Sequence, residues 1–196
     1  MITNRQIARL WVAKDYKKLF SDLIAARPEA VLKPDAELNK PAPVAALAII
    51  RLDELSQSYL PIYSQLIRAV LSAQEADGGW GDVASTALCV RALLCGQGDG
   101  AAIQRGLEYL ANLQKSEGIW PAVPLRRMPE DAAISLFVLH QLGDQPRFRA
   151  AVRFADALAW FDRHQSSLDT HLSDFWERAT LRCGVHSGPP ATLFAL

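Results

Sequence analysis

Seven residues written twice, forty positions apart, constrain this chain more than any other feature of it. Gln74-Glu75-Ala76-Asp77-Gly78-Gly79-Trp80 and Gln114-Lys115-Ser116-Glu117-Gly118-Ile119-Trp120 both read Q-x-x-x-G-x-W. Each copy follows an apolar helical segment and is followed by another. A repeat of this period marks helical hairpins laid side by side, since one hairpin alone cannot bury its apolar face. Such arrays work through the groove or cavity that their inner helices line. The motif residues have clear physical tasks. Gly78 and Gly118 permit the turn out of an outer helix. The amides of Gln74 and Gln114 can satisfy orphan backbone groups at helix ends. Trp80 and Trp120 can cover those amides and bury apolar area between successive hairpins. All six are expected to be structural anchors.

The rest of the chain reads as helix. Residues 4 to 26 carry amphipathic spacing and end at Pro28; Pro34, Pro41 and Pro43 mark a connection. Helices are expected over 44–55, 61–74, 83–95, 101–115, 129–142, 146–164 and 168–182, with Pro61 suited to a first helical turn. No segment sustains strand alternation. The stretches 44–50 and 132–139 are apolar almost all round and belong in an interior, whereas 101–115 and 146–164 keep a charged face and belong outside. Paired, they give about four hairpins of ~40–50 residues each. The expected organisation is one helical-repeat domain over 1–185, best defined over 60–143, with an extended tail from His186 to Leu196.

Composition narrows the function classes. Half the residues are hydrophobic, and 21 basic residues balance 21 acidic ones, which argues against a nucleic-acid partner. No apolar run reaches membrane-spanning length, and Met1 to Arg9 hold no signal-like apolar region. Three cysteines with no framework spacing suit a reducing cytoplasm.

The repeat resembles the QW motif of the squalene/oxidosqualene cyclase and prenyltransferase β-subunit superfamily. The likeness extends to Gly79-Trp80-Gly81-Asp82-Val83-Ala84-Ser85-Thr86-Ala87-Leu88, similar to that family's GGWG…STAL junction, and to the G-x-x-Y-L-x-x-x-Q approach at 106–114. The resemblance implies an all-α fold of the α/α toroid type. The family's closed ring uses more hairpins than this chain supplies, so an open arc is expected, or a ring completed by self-association or by another protein. The family's QW repeats are structural and do not themselves imply catalysis.

In the cyclases of that family an Asp-x-Asp-Asp motif at an inner helix start protonates an alkene. The matching stretch here is Met128-Pro129-Glu130-Asp131. Glu130 stands where the acid would be and Asp131 matches the last Asp, but Met128 replaces the first, and Ala132 follows where Thr is usual. Acids in a first helical turn also simply favour the helix dipole. The prenyltransferase relatives bind zinc through Asp, Cys and His. Their local signature is not visible here, although His171, Asp174, Cys183 and His186 offer ligand types that suit zinc at no standard spacing. No cofactor is therefore expected, zinc being the alternative. Arg126 and Arg127 could meet a diphosphate or carboxylate. Phe137, His140 and Trp176 are candidate lining for an apolar groove, and aromatic faces there could stabilise a carbocation. Two functions compete at this stage. One is a binding or accessory protein holding an apolar, isoprenoid-like ligand, a peptide or a partner subunit. The other is a small cyclase-like enzyme using Glu130 and Asp131, with a metal-dependent enzyme at the C-terminal His/Cys group as a further alternative.

Overall fold

The computed structural model describes residues 41–121, 130–168 and 170–184. All regular structure among them is helical: α1 (Pro41–Glu54), α2 (Pro61–Ser72), α3 (Val83–Cys95), α4 (Gly100–Leu113), α5 (Glu130–Leu142), α6 (Pro146–Ala151), α7 (Phe154–His164) and α8 (Thr170–Cys183), with a 3₁₀ turn at Gln165–Ser167. No helix among the described residues is long and apolar enough to cross a membrane. The helix expected over 4–26, the loop holding Arg126 and Arg127, the tail from His186 and the Glu130 side chain lie outside the described residues.

The helices gather into two compact units, divided within α3 and α4. The first holds residues 41–81 and 88–106. Here α1 packs on α2. The alanine-rich face of α1 lets neighbours approach closely, and Ala46, Ile49 and Leu52 are buried with Val70 of α2 and Val90 and Leu93 of α3. Pro61 opens α2 behind an extended Leu60. Its missing N–H is one that a helix start would leave unpaired anyway.

The second unit holds residues 82–87 and 107–184. Asp82 caps the start of α3: its carboxylate accepts the Ser85 N–H at 2.7 Å and the Ser85 hydroxyl at 3.0 Å. Helix α5 packs on α8. The core is aromatic, with Phe161 stacked on Trp176 at 5.0 Å and Trp120 on Phe148 at 6.0 Å between ring centres. Arg149 fastens two helix ends, donating from Nε to the Gly143 carbonyl and from its terminal nitrogen to the Cys183 carbonyl, both at 2.6 Å. Carbonyls at helix C-termini lack intrahelical partners, so one guanidinium serves α5 and α8 together.

The helix expected over 146–164 is two helices, α6 and α7, parted at Val152 and Arg153. The break has a physical reason. The Arg153 N–H donates to Gln114 Oε1 at 2.8 Å, and the Arg153 carbonyl accepts from Gln114 Nε2 at 3.2 Å. Side-chain bonds thus occupy both main-chain groups of Arg153 where the helix parts. Helical patterning cannot reveal such a break, because residues 146–164 keep their apolar spacing across it.

Candidate functional site

The two Q-x-x-x-G-x-W copies fold alike, each within one unit. In the first, Gln74 Nε2 donates at 2.9 Å to the carbonyl of Gly78 and at 2.9 Å to that of Ala102, at the start of α4. Trp80 Nε1 donates at 2.8 Å to the Val70 carbonyl in the last turn of α2. In the second, Gln114 Nε2 donates at 2.6 Å to the Gly118 carbonyl and also to that of Arg153, just before α7. Trp120 Nε1 donates at 2.7 Å to the Leu110 carbonyl in the last turn of α4. Each indole thus adds a side-chain donor to a carbonyl in the last turn of the preceding helix. Each glutamine closes its loop and ties it to a later helix.

Two participants escape a reading of the motif. Arg105 donates to Gln74 Oε1, and Arg153 donates to the carbonyls of Gln114, at 2.8 Å, and of Lys115. Nothing in their local sequence separates them from ordinary helix-surface arginines. The glycines are held by geometry: Gly78 has φ +89° and Gly118 φ +91°. That left-handed region suits a residue without Cβ.

The second motif also anchors the start of α5. Asp131 is fully buried, and its Oδ2 lies 2.5 Å from Lys115 Nζ. The Trp120 N–H donates to Ser135 Oγ at 2.8 Å, and the Ser135 hydroxyl donates to the Asp131 carbonyl at 2.6 Å. The carboxyl of the expected acid pair that is described therefore sits in an ion pair with a motif lysine. Lys115 would have to leave before a second carboxyl could share a proton with Asp131.

The candidate lining residues differ in exposure. Trp176 is walled in at 1% exposed, and its indole N–H meets no acceptor among the described residues. Phe137 and His140 are half-buried on one face of α5, and the His140 ring lies 5.3 Å from that of Phe175. The same pattern recurs on the other apolar helices. Helix α1 leaves Leu47 and Arg51 partly exposed between buried neighbours, and α3 leaves Leu88 and Arg91 so. Each of these helices thus keeps one open stripe, apolar and then basic one turn later, in an otherwise buried cylinder.

The three zinc candidates among the described residues are not brought together. His171 and Asp174 are exposed in the first turns of α8, while Cys183 is buried at its end, about 18 Å beyond His171 and about 14 Å beyond Asp174 along the axis at 1.5 Å per residue. Burial pushes the Cys183 thiol up despite nearby Arg149, and a zinc ligand must be thiolate. No group of three or more His, Cys, Asp or Glu able to hold a metal occurs among the described residues. In the first unit burial, with Asp53 and Cys95 nearby, raises Tyr63 to about 12. Burial also raises Cys95 to about 11, against the lowering effect of Arg91, with Asp53 again adding. Neither group is a ready nucleophile.

No protein-family model, curated protein or solved structure matches the chain.

Proposed function

We propose that the chain is a binding or accessory protein of the QW-repeat kind, holding an apolar ligand or partner along its apolar helices in an open toroid-like arc. The observation that carries this reading is the stripe left open on each of α1, α3 and α5 at Leu47, Leu88 and Phe137. Helices otherwise apolar all round expose such a stripe where something else covers it. The matching hydrogen-bond sets of the two motifs support the repeat reading. The Lys115–Asp131 ion pair favours binding over catalysis, because it commits a carboxyl that an acid pair would need.

The test compares binding with turnover. Purified protein is titrated with a neutral isoprenoid alcohol, and separately incubated with a linear polyprenyl substrate whose products are read by mass spectrometry. Saturable binding without cyclised product supports the proposal. Cyclised product that disappears in a folded Glu130→Gln variant would instead establish the cyclase-like alternative.

A further inference from the structure

Helix α5 keeps one open face along its length. Ala133, Ile134, Phe137, His140 and Gln141 are half-buried, and every other described side chain of the helix is buried. The spacing i, i+1, i+4, i+7, i+8 is a single helical stripe. It runs about 12 Å at 1.5 Å per residue. The stripes of α1 and α3 hold Arg51 and Arg91, whereas this one holds no Asp, Glu, Lys or Arg. It suits an uncharged apolar occupant, which brings no ion to be desolvated without a partner.

The chain supplies such a segment, and α8 delivers it to the edge of the stripe. Helix α8 packs on α5. The Phe175 ring of α8 lies 5.3 Å from that of His140, at the margin of the stripe. The end of α8 is held at the last turns of α5. There the Cys183 thiol lies 3.9 Å from the Leu139 carbonyl, and Arg149 joins the Cys183 and Gly143 carbonyls. Gly184, with φ +65°, turns the chain out of the helix at that point. The sequence that follows holds no Asp, Glu, Lys or Arg. After the spacer Gly188-Pro189-Pro190 comes Leu193-Phe194-Ala195-Leu196, with three large apolar side chains in four residues. The nine residues from Gly184 to Leu193 can span up to ~30 Å, more than twice the stripe.

We propose that residues 193–196 dock on the α5 stripe of their own chain, with Leu193, Phe194 and Leu196 laid over Ile134 and Phe137. The docked segment competes with any other apolar occupant of α5 and so acts as an autoinhibitory cover. The tether favours it over a second copy, because a segment on a short linker meets its site at an effective concentration in the millimolar range. Leu181 is also open, at 69% exposed, but it stands two residues from Cys183, about 200° round the helix and away from α5. The docking requires no ligand and stands apart from the ligand reading.

Photo-crosslinking of the full chain tests the contact. Phe194 is replaced by p-benzoylphenylalanine, and isotopically light and heavy protein are mixed in equal parts, diluted, irradiated and cleaved with trypsin. Cleavage after Arg127, Arg147 and Arg182 isolates one peptide carrying α5 and one carrying the tail. The expected product joins these two peptides, both of the same isotope. Leu193→Asp/Leu196→Asp should lower its yield at least about tenfold, because a carboxylate laid on an apolar stripe loses its water for no partner. Both substitutions lie beyond α8, so the helices should form unchanged, as circular dichroism would verify. Products of mixed isotope would mean that a second copy occupies the stripe, and they overturn the proposal. Cross-links only to other peptides overturn it too, as does a yield to α5 that the two aspartates leave unchanged, the mark of tethered collision without docking. Each of these failures leaves α5 open and the ligand reading standing.

Discussion

A methyl group at position 118 would land 2.5 Å from the Ala157 backbone nitrogen and 2.6 Å from the Asp156 carbonyl carbon, on a residue with φ +91°. Gly118→Ala should therefore destabilise by about 3 kcal/mol, combining the left-handed cost with overpacking against rigid backbone. Gly184 also has positive φ, at +65°, but open space around it. Gly184→Ala should cost only about 1–2 kcal/mol. Urea unfolding of the two variants side by side separates the contributions. A companion pair isolates the indole bond: Trp80→Phe and Trp120→Phe keep most of the buried area but remove the N–H that donates to the Val70 or Leu110 carbonyl. Each should lose about 1–3 kcal/mol, against ~3–5 kcal/mol for Trp→Ala. At this scale the sequence shows which residue types are set apart, because Gln, Gly and Trp at fixed spacing are unusual together. The partner carbonyls at Ala102 and Arg153 lie 28 and 39 residues from their glutamines, beyond the reach of any local pattern.

Among elements, helix starts and stops were legible where Pro, Gly or an apolar period marks them, as at Pro61, Val83 and Leu142. The gap between α6 and α7 was not, because tertiary bonds to Gln114 maintain it. The same hidden wiring joins the second motif to α5. Lys115→Met removes the cation from a fully buried carboxylate and should cost about 3–5 kcal/mol, whereas the double variant Lys115→Met/Asp131→Leu should recover most of that loss. A double-mutant cycle by thermal denaturation measures the coupling; additive losses would mean that the pair contributes nothing. The ends of α1, α2 and α3 should show themselves as alkaline sensitivity. Cys95 and Tyr63 both have raised folded values, so the folded state retains their protons longer than the unfolded chain does. Their contribution is fully present below the unfolded values of about 9 and 10 and fades as pH climbs towards 11 and 12. Stability should fall across that window, and Cys95→Ala with Tyr63→Phe should flatten the fall. A profile unchanged by the double variant would assign the sensitivity to other groups.

For the molecule as a whole, the all-helical class was legible because period and punctuation act locally. The site was less so. Burial selects Phe137 and His140 from a helix that reads as apolar throughout, and it encloses Trp176, which the sequence alone cannot tell from a lining residue. The same glutamine latch closes over 28 residues in one unit and 39 in the other, a difference of 11. The latch recognises a carbonyl at a helix start and is indifferent to how much chain lies between. Since doubling a loop costs only about 0.6 kcal/mol in closure entropy, the chain enclosed by a latch can lengthen at little cost while the latch stays shut.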